Sequence, residues 1–129
     1  MNKKHLFLND LYVIKNIHSE NVNRFSATIE INPGHPVFKG HFPGNPILPG
    51  VCTLQIIREL VSEHLGEGIR LQKAGTIKYT SFINPLANRL IELEIDLRDE
   101  ENGSLGCNAT VHSGETSFCS FKGGLLRIK

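Results

Sequence analysis

The sequence predicts an α+β fold in which an antiparallel sheet curves around one central helix. Three observations carry that prediction. Val51–Leu65 is the only substantial stretch that reads as a helix, being free of Gly and Pro. Strand-like segments flank it on both sides. Its apolar residues also cover too much of its circumference for an ordinary surface helix. At about 100° per residue, Leu54, Ile56, Ile57, Leu60, Val61 and Leu65 spread over roughly half the helix, with Gln55, Arg58, Glu59, Ser62 and Glu63 on the other half. An arc that wide suits a helix cradled by a curved sheet.

The elements follow in order. Leu11–Ile17 reads as a short apolar strand. Asn23–Asn32 alternates, with Phe25, Ala27, Ile29 and Ile31 on one face and Arg24, Ser26, Thr28 and Glu30 on the other, the period of a half-buried strand. Gly66 and Gly68 stop the helix. Ile69–Ile83 is a long candidate strand ended by Asn84–Pro85, and Leu90–Leu97 alternates cleanly. Asp99–Gly103 is a turn, after which Leu105–His112 and Thr116–Ile128 complete the sheet, parted by Ser113–Gly114. No repeat or linker interrupts the order, so one domain is expected over residues 1–129.

Composition narrows the function classes. Fourteen Lys+Arg against 13 Asp+Glu leave a net charge of +1, which offers no long-range attraction for nucleic acid or an anionic membrane. No apolar run approaches the ~20 residues of a spanning helix. Residues 1–4 begin like a leader peptide, but Asn9 and Asp10 interrupt the apolar stretch at once. Cys52, Cys107 and Cys119 are odd in number and lack C-x-x-C spacing, which argues against a disulfide framework and against zinc. His35 and His41 lack a third ligand at plausible spacing, so no metal is expected. A cytoplasmic protein is the expectation.

The chemistry-bearing segment is the loop before the helix. Five of the six prolines and four of the twelve glycines lie between Pro33 and Gly50. Proline fixes φ and glycine permits φ > 0, so their alternation makes a stiff, sharply turning path. Such a loop can hold His41 in place at little further entropic cost. It also delivers the chain to a helix N-terminus, where the Gly50 and Val51 N–H groups could receive a carbonyl oxygen. By itself a lone loop histidine is more often a surface or capping residue.

The run His41-Phe42-Pro43-Gly44-x-Pro46-x-x-Pro49-Gly50-Val51, preceded by Phe38-x-Gly40, resembles the signature of the β-hydroxyacyl-acyl-carrier-protein dehydratases. Ile77–Pro85 is similar to that family's basic, aromatic strand and second turn. The resemblance implies the hot-dog fold and a homodimer or larger homo-oligomer with the active site at the dimer interface. It implies a 3-hydroxyacyl thioester substrate, carried on the phosphopantetheine arm of an acyl carrier protein, so that no cofactor of the enzyme itself is needed. His41 would take the α-proton and the Gly50 and Val51 amides would polarise the thioester carbonyl. Phe42, Pro43, Gly44 and Pro49 would form the loop scaffold.

Two positions depart from the family pattern. Fourteen residues after His41, where the family places a carboxylate contributed across the interface, stands Gln55. An amide orients a hydroxyl or water but neither supplies nor accepts a proton. Glu59, one turn further on, is expected to be a solvated charge, and Gln55→Glu is expected to preserve or raise activity. The second turn reads Asn84-Pro85-Leu86-Ala87-Asn88 in place of Pro-Gly-Asp. The leading expectation is therefore dehydration by His41 with Gln55 positioning hydroxyl or water. A hot-dog acyl thioesterase, or a non-catalytic carrier-binding or partner subunit, remain as alternatives. Cys52 is expected to be a buried hydrophobe, Tyr79 and Phe82 core or tunnel-wall aromatics, and Lys122, Arg127 and Lys129 a solvated basic terminus.

Overall fold

The computed structural model describes residues 5–39 and 46–128. Six strands form one antiparallel sheet: β1 (Tyr12–Asn21), β2 (Arg24–Ile31), β3 (Gly68–Tyr79), β4 (Leu90–Asp99), β5 (Ser104–Ser113) and β6 (Thr116–Ile128). Their order across the sheet is β1-β2-β4-β5-β6-β3. The helix α1 (Gly50–Leu65) connects β2 to β3, so the chain crosses from one side of the sheet to its opposite edge through α1.

Alternation places one face of each central strand in the core. Phe25, Ala27, Ile29 and Ile31 of β2 and Ile91, Leu93, Ile95 and Leu97 of β4 are all buried, as their period of two requires. They pair face to face, with Ala27 opposite Leu93 and Ile29 opposite Ile91. Ile56, Ile57, Leu60 and Val61 of α1 join the same apolar cluster. At about 25 cal/mol per Å² of apolar surface, each such side chain contributes roughly 1.5–3 kcal/mol.

The helix is buried more fully than its pattern suggests. Leu54 and Leu65 are only half-buried, whereas Thr53, Glu59 and Ser62 from outside the apolar arc are buried. Gly66 closes the helix in a left-handed conformation (φ 68°), donating its N–H to the Ser62 carbonyl at 2.8 Å.

Two strands end four residues away from the expectation, each for an identifiable reason, and β4 runs on through Asp99, the expected start of the turn. β1 runs on to Asn21 because its backbone pairs with β2 through His18 and Ser19, and an exposed edge ladder needs no apolar side chains. β3 ends at Tyr79 rather than Ile83. There the Thr80 and Ser81 amides both turn to one carbonyl, that of Phe118, and the chain leaves the ladder. The Leu48 amide then bonds the Ile83 carbonyl at 2.9 Å, tying the segment after β3 to the approach to α1. Among the described residues no helix is long and apolar enough to cross a membrane.

Candidate active site

The start of α1 has no side-chain cap. Its N-cap position is Pro49 (φ −59°, ψ 140°), which makes no capping hydrogen bond, and the first turn contains no acidic residue. Most helices satisfy one first-turn amide with a Ser, Thr, Asp or Asn oxygen. Here the Cys52 amide bonds the Pro49 carbonyl at 2.9 Å, and the Gly50 and Val51 amides find no acceptor among the described residues. They lie at the positive end of the helix dipole.

A cavity of about 360 Å³ opens at this helix end, lined among others by Ile47, Leu48, Pro49, Gly50, Thr53, Tyr79 and Phe82. Ile83, Phe118 and Cys119 also line it. Gly50 makes the close approach possible. A Cβ there would sit 2.7 Å from Tyr79 Cζ and 2.8 Å from its hydroxyl oxygen. Tyr79, Phe82 and Val51 remain 51%, 76% and 71% exposed, so apolar surface continues from the cavity mouth onto the outside of the molecule. Tyr79 and Phe82 are thus wall residues, not core.

His41, Phe42, Pro43 and Gly44 lie outside the described residues, within 40–45. Gln55 is described and does not line the cavity of its own chain. It is half-buried, and its Nε2 donates to Glu59 Oε2 at 2.7 Å while Arg58 Nε donates to its Oε1 at 3.4 Å. The structure therefore joins Pro49 and Gly50 to the cavity, and sets Gln55 apart from it on the same helix.

Glu59 corrects the sequence expectation. It is 0% exposed, not a solvated charge. Besides Gln55, it accepts the Phe7 amide at 3.0 Å, the Leu8 amide at 2.9 Å and the Tyr12 hydroxyl at 3.0 Å. Burial, and then the adjacent Glu59 charge, push the Tyr12 phenol up, so it remains a protonated donor. The sequence signal that could have found this cluster is slight: a Glu inside the sole helix, with partners some fifty positions away.

Other candidates settle into structural roles. His35 accepts the Val37 amide on Nδ1 at 2.9 Å, capping the short 3₁₀ turn Pro36–Phe38, and its Nε2 lies 3.3 Å from Asp10. Cys52, Cys107 and Cys119 are all buried, and burial raises each thiol, that of Cys107 to about 12. Cys52 is accordingly a small apolar filler, not a nucleophile. Arg127 is paired with Glu67 and Asp99, each at 2.9 Å, rather than solvated freely.

One helix set against one face of a six-stranded antiparallel sheet defines the class as the hot-dog fold. Comparison with known proteins agrees. The structure resembles the dehydratase heterocomplex ApeI:P from Xenorhabdus doucetiae, with TM-score 0.70 and 20% identity over 89% of this chain and 97% of that one. It also resembles a hypothetical thioesterase protein with coenzyme A from Streptococcus pneumoniae, with TM-score 0.63 and 10% identity over 91% and 85%. In sequence it is 27% identical over 110 residues to the 3-hydroxyacyl-[acyl-carrier-protein] dehydratase FabZ of Levilactobacillus brevis, covering 70% of this chain and 73% of the relative. The family model described as ApeI-like, ApeI dehydratase, matches residues 17–121. The chain belongs to that family.

Proposed function

We propose that the protein dehydrates 3-hydroxyacyl thioesters carried by acyl carrier protein to trans-2-enoyl thioesters, in fatty-acid or related lipid or polyene synthesis. The observation that carries this reading is the apolar cavity opening onto an uncapped helix start. An acyl chain can lie in the cavity while its thioester oxygen meets the Gly50 and Val51 amides. Membership of the dehydratase family and the His41 loop motif agree with it.

The steps balance with the residues available. His41 takes the C2 proton, and the C–H electrons pass into the thioester as an enolate held by the two amides. These electrons return to form the C2–C3 double bond as the C3–O bond breaks. The hydroxyl leaves as water with the proton carried by His41, since the neutral Gln55 can orient that hydroxyl but supplies no proton.

Gln55 does not line the cavity of its own chain, so the complete site calls for a second copy. We place Gln55 of each protomer at the other's cavity in a homodimer. The exposed Val51, Tyr79 and Phe82 beside the mouth support this. So does β3, a 12-residue strand on the open edge of the sheet, since a long open edge is a template for further pairing.

A second reading has one observation in its favour: a Gln55 amide clamped between a carboxylate and a guanidinium could orient a water for thioester hydrolysis. Supplying 3-hydroxyacyl-carrier-protein thioesters of several chain lengths separates the two. Enoyl thioester with no free thiol supports dehydration, and free thiol without enoyl product supports hydrolysis. No product in either direction, with a different subunit co-purifying, would leave only a partner role.

A further inference from the structure

Glu59 is a buried charge for which the proposed steps have no use. We propose that it is a positioning residue: it locks the orientation of the Gln55 amide and is itself held by residues 7–12. The inference rests on the reading of Gln55 as the group that orients the 3-hydroxyl.

A glutamine amide presents two nearly isosteric ends, one donating and one accepting. A flip would exchange donor for acceptor at the reacting hydroxyl. The Glu59 carboxylate only accepts, so it selects the nitrogen end at 2.7 Å, and Arg58 only donates, so it selects the oxygen end. Arg58 is anchored in turn by donating from Nη1 to the Ile69 carbonyl. The carboxylate is equally fixed. Two backbone amides, the Tyr12 hydroxyl and Gln55 Nε2 place four donors on its two oxygens, filling the acceptor positions that an ionised carboxyl offers. With no acceptor position left over, Glu59 acts on the reaction through Gln55 alone. A buried charge is expensive, and an apolar residue of similar volume commonly gives equal or greater stability, so stability alone is a weak reason for an acid here.

The geometry also reverses an expectation from the sequence. Gln55→Glu would set a second carboxylate against Glu59 Oε2, at the 2.7 Å now spanned by a hydrogen bond. Like charges at that distance repel strongly, so the single substitution loses activity instead of gaining it. Gln55→Glu combined with Glu59→Gln restores a donor–acceptor pair in reversed order.

The test has two readouts on the full chain. In ¹⁵N-resolved NMR spectra, one Gln55 side-chain amide proton of the wild type is expected to be shifted downfield and slow to exchange. Glu59→Gln should abolish that signature and lower kcat about 10- to 100-fold, the effect of a small misplacement, with KM for the 3-hydroxyacyl-carrier-protein thioester little changed. Glu63→Gln, which alters the contact with His5 Nε2 one turn along the helix, should leave the Gln55 signature in place. The paired exchange should recover at least tenfold in kcat over Gln55→Glu alone, which serves as the test if Glu59→Gln does not fold. An unaltered Gln55 signature in Glu59→Gln, or a paired exchange no better than Gln55→Glu, overturns the proposal. A wild type that forms no enoyl product but whose Gln55 signature responds to Glu59→Gln refutes the dehydratase reading and leaves the clamp standing.

Discussion

Gly50 illustrates how an absent side chain shapes the candidate site. The Tyr79 ring occupies the space where its Cβ would be, bringing an aromatic wall against the first turn of α1. The clash involves the far end of an exposed side chain, which can swing away. Gly50→Ala should therefore move the thermal midpoint by less than about 4 °C. Because the displaced ring alters the cavity mouth, KM for the acyl thioester should rise about tenfold, the order expected for one methyl group in a fitted apolar pocket. Calorimetry and steady-state kinetics on the same preparation check both halves. A large loss of stability with KM unchanged would mean that Tyr79 is a support, not a wall.

The elements show which physics is local and which is not. The alternation of Phe25, Ala27, Ile29 and Ile31, and of Ile91, Leu93, Ile95 and Leu97, reports burial directly, because a pleated strand exposes alternate residues. The proline- and glycine-rich stretch before α1 likewise marks the candidate site from composition alone. The role of Glu59 had no such signal: its environment is set by Phe7, Leu8 and Tyr12, far away in the chain, and on a helical wheel it looks solvated. The end of β3 was equally hidden, since it depends on a carbonyl of β6. Within β3 the register against β6 slips between Leu71 and Lys73 and again before Thr76. Gly75 sits in that irregularity at φ 59°, where a Cβ would lie 2.1 Å from the Lys122 carbonyl oxygen. Gly75→Ala should cost about 2 kcal/mol or more, since backbone must shift in addition to the ~1–2 kcal/mol left-handed penalty. Gly114→Ala has a similar φ of 58° but open space around it, and should cost only the conformational part. Denaturant midpoints of the two variants make the comparison, and equal losses would show that the contact with Lys122 is immaterial.

At the scale of the whole molecule, the proposed site is incomplete within one chain. On the proposed reading one chain contributes the helix start, the apolar cavity and His41, while its Gln55 amide is held by Glu59 and Arg58 and does not line that cavity. The proposed two-fold pairing would exchange these parts, so that each cavity gains the other chain's glutamine. The most direct test is to co-express His41→Ala with Gln55→Ala and measure enoyl thioester formation. Each variant alone loses both sites, but a mixed dimer retains one cavity with both groups intact. Dehydration by the co-expressed pair well above that of either variant is the predicted result; a pair no more active than its better parent would contradict a dehydratase site shared between two copies.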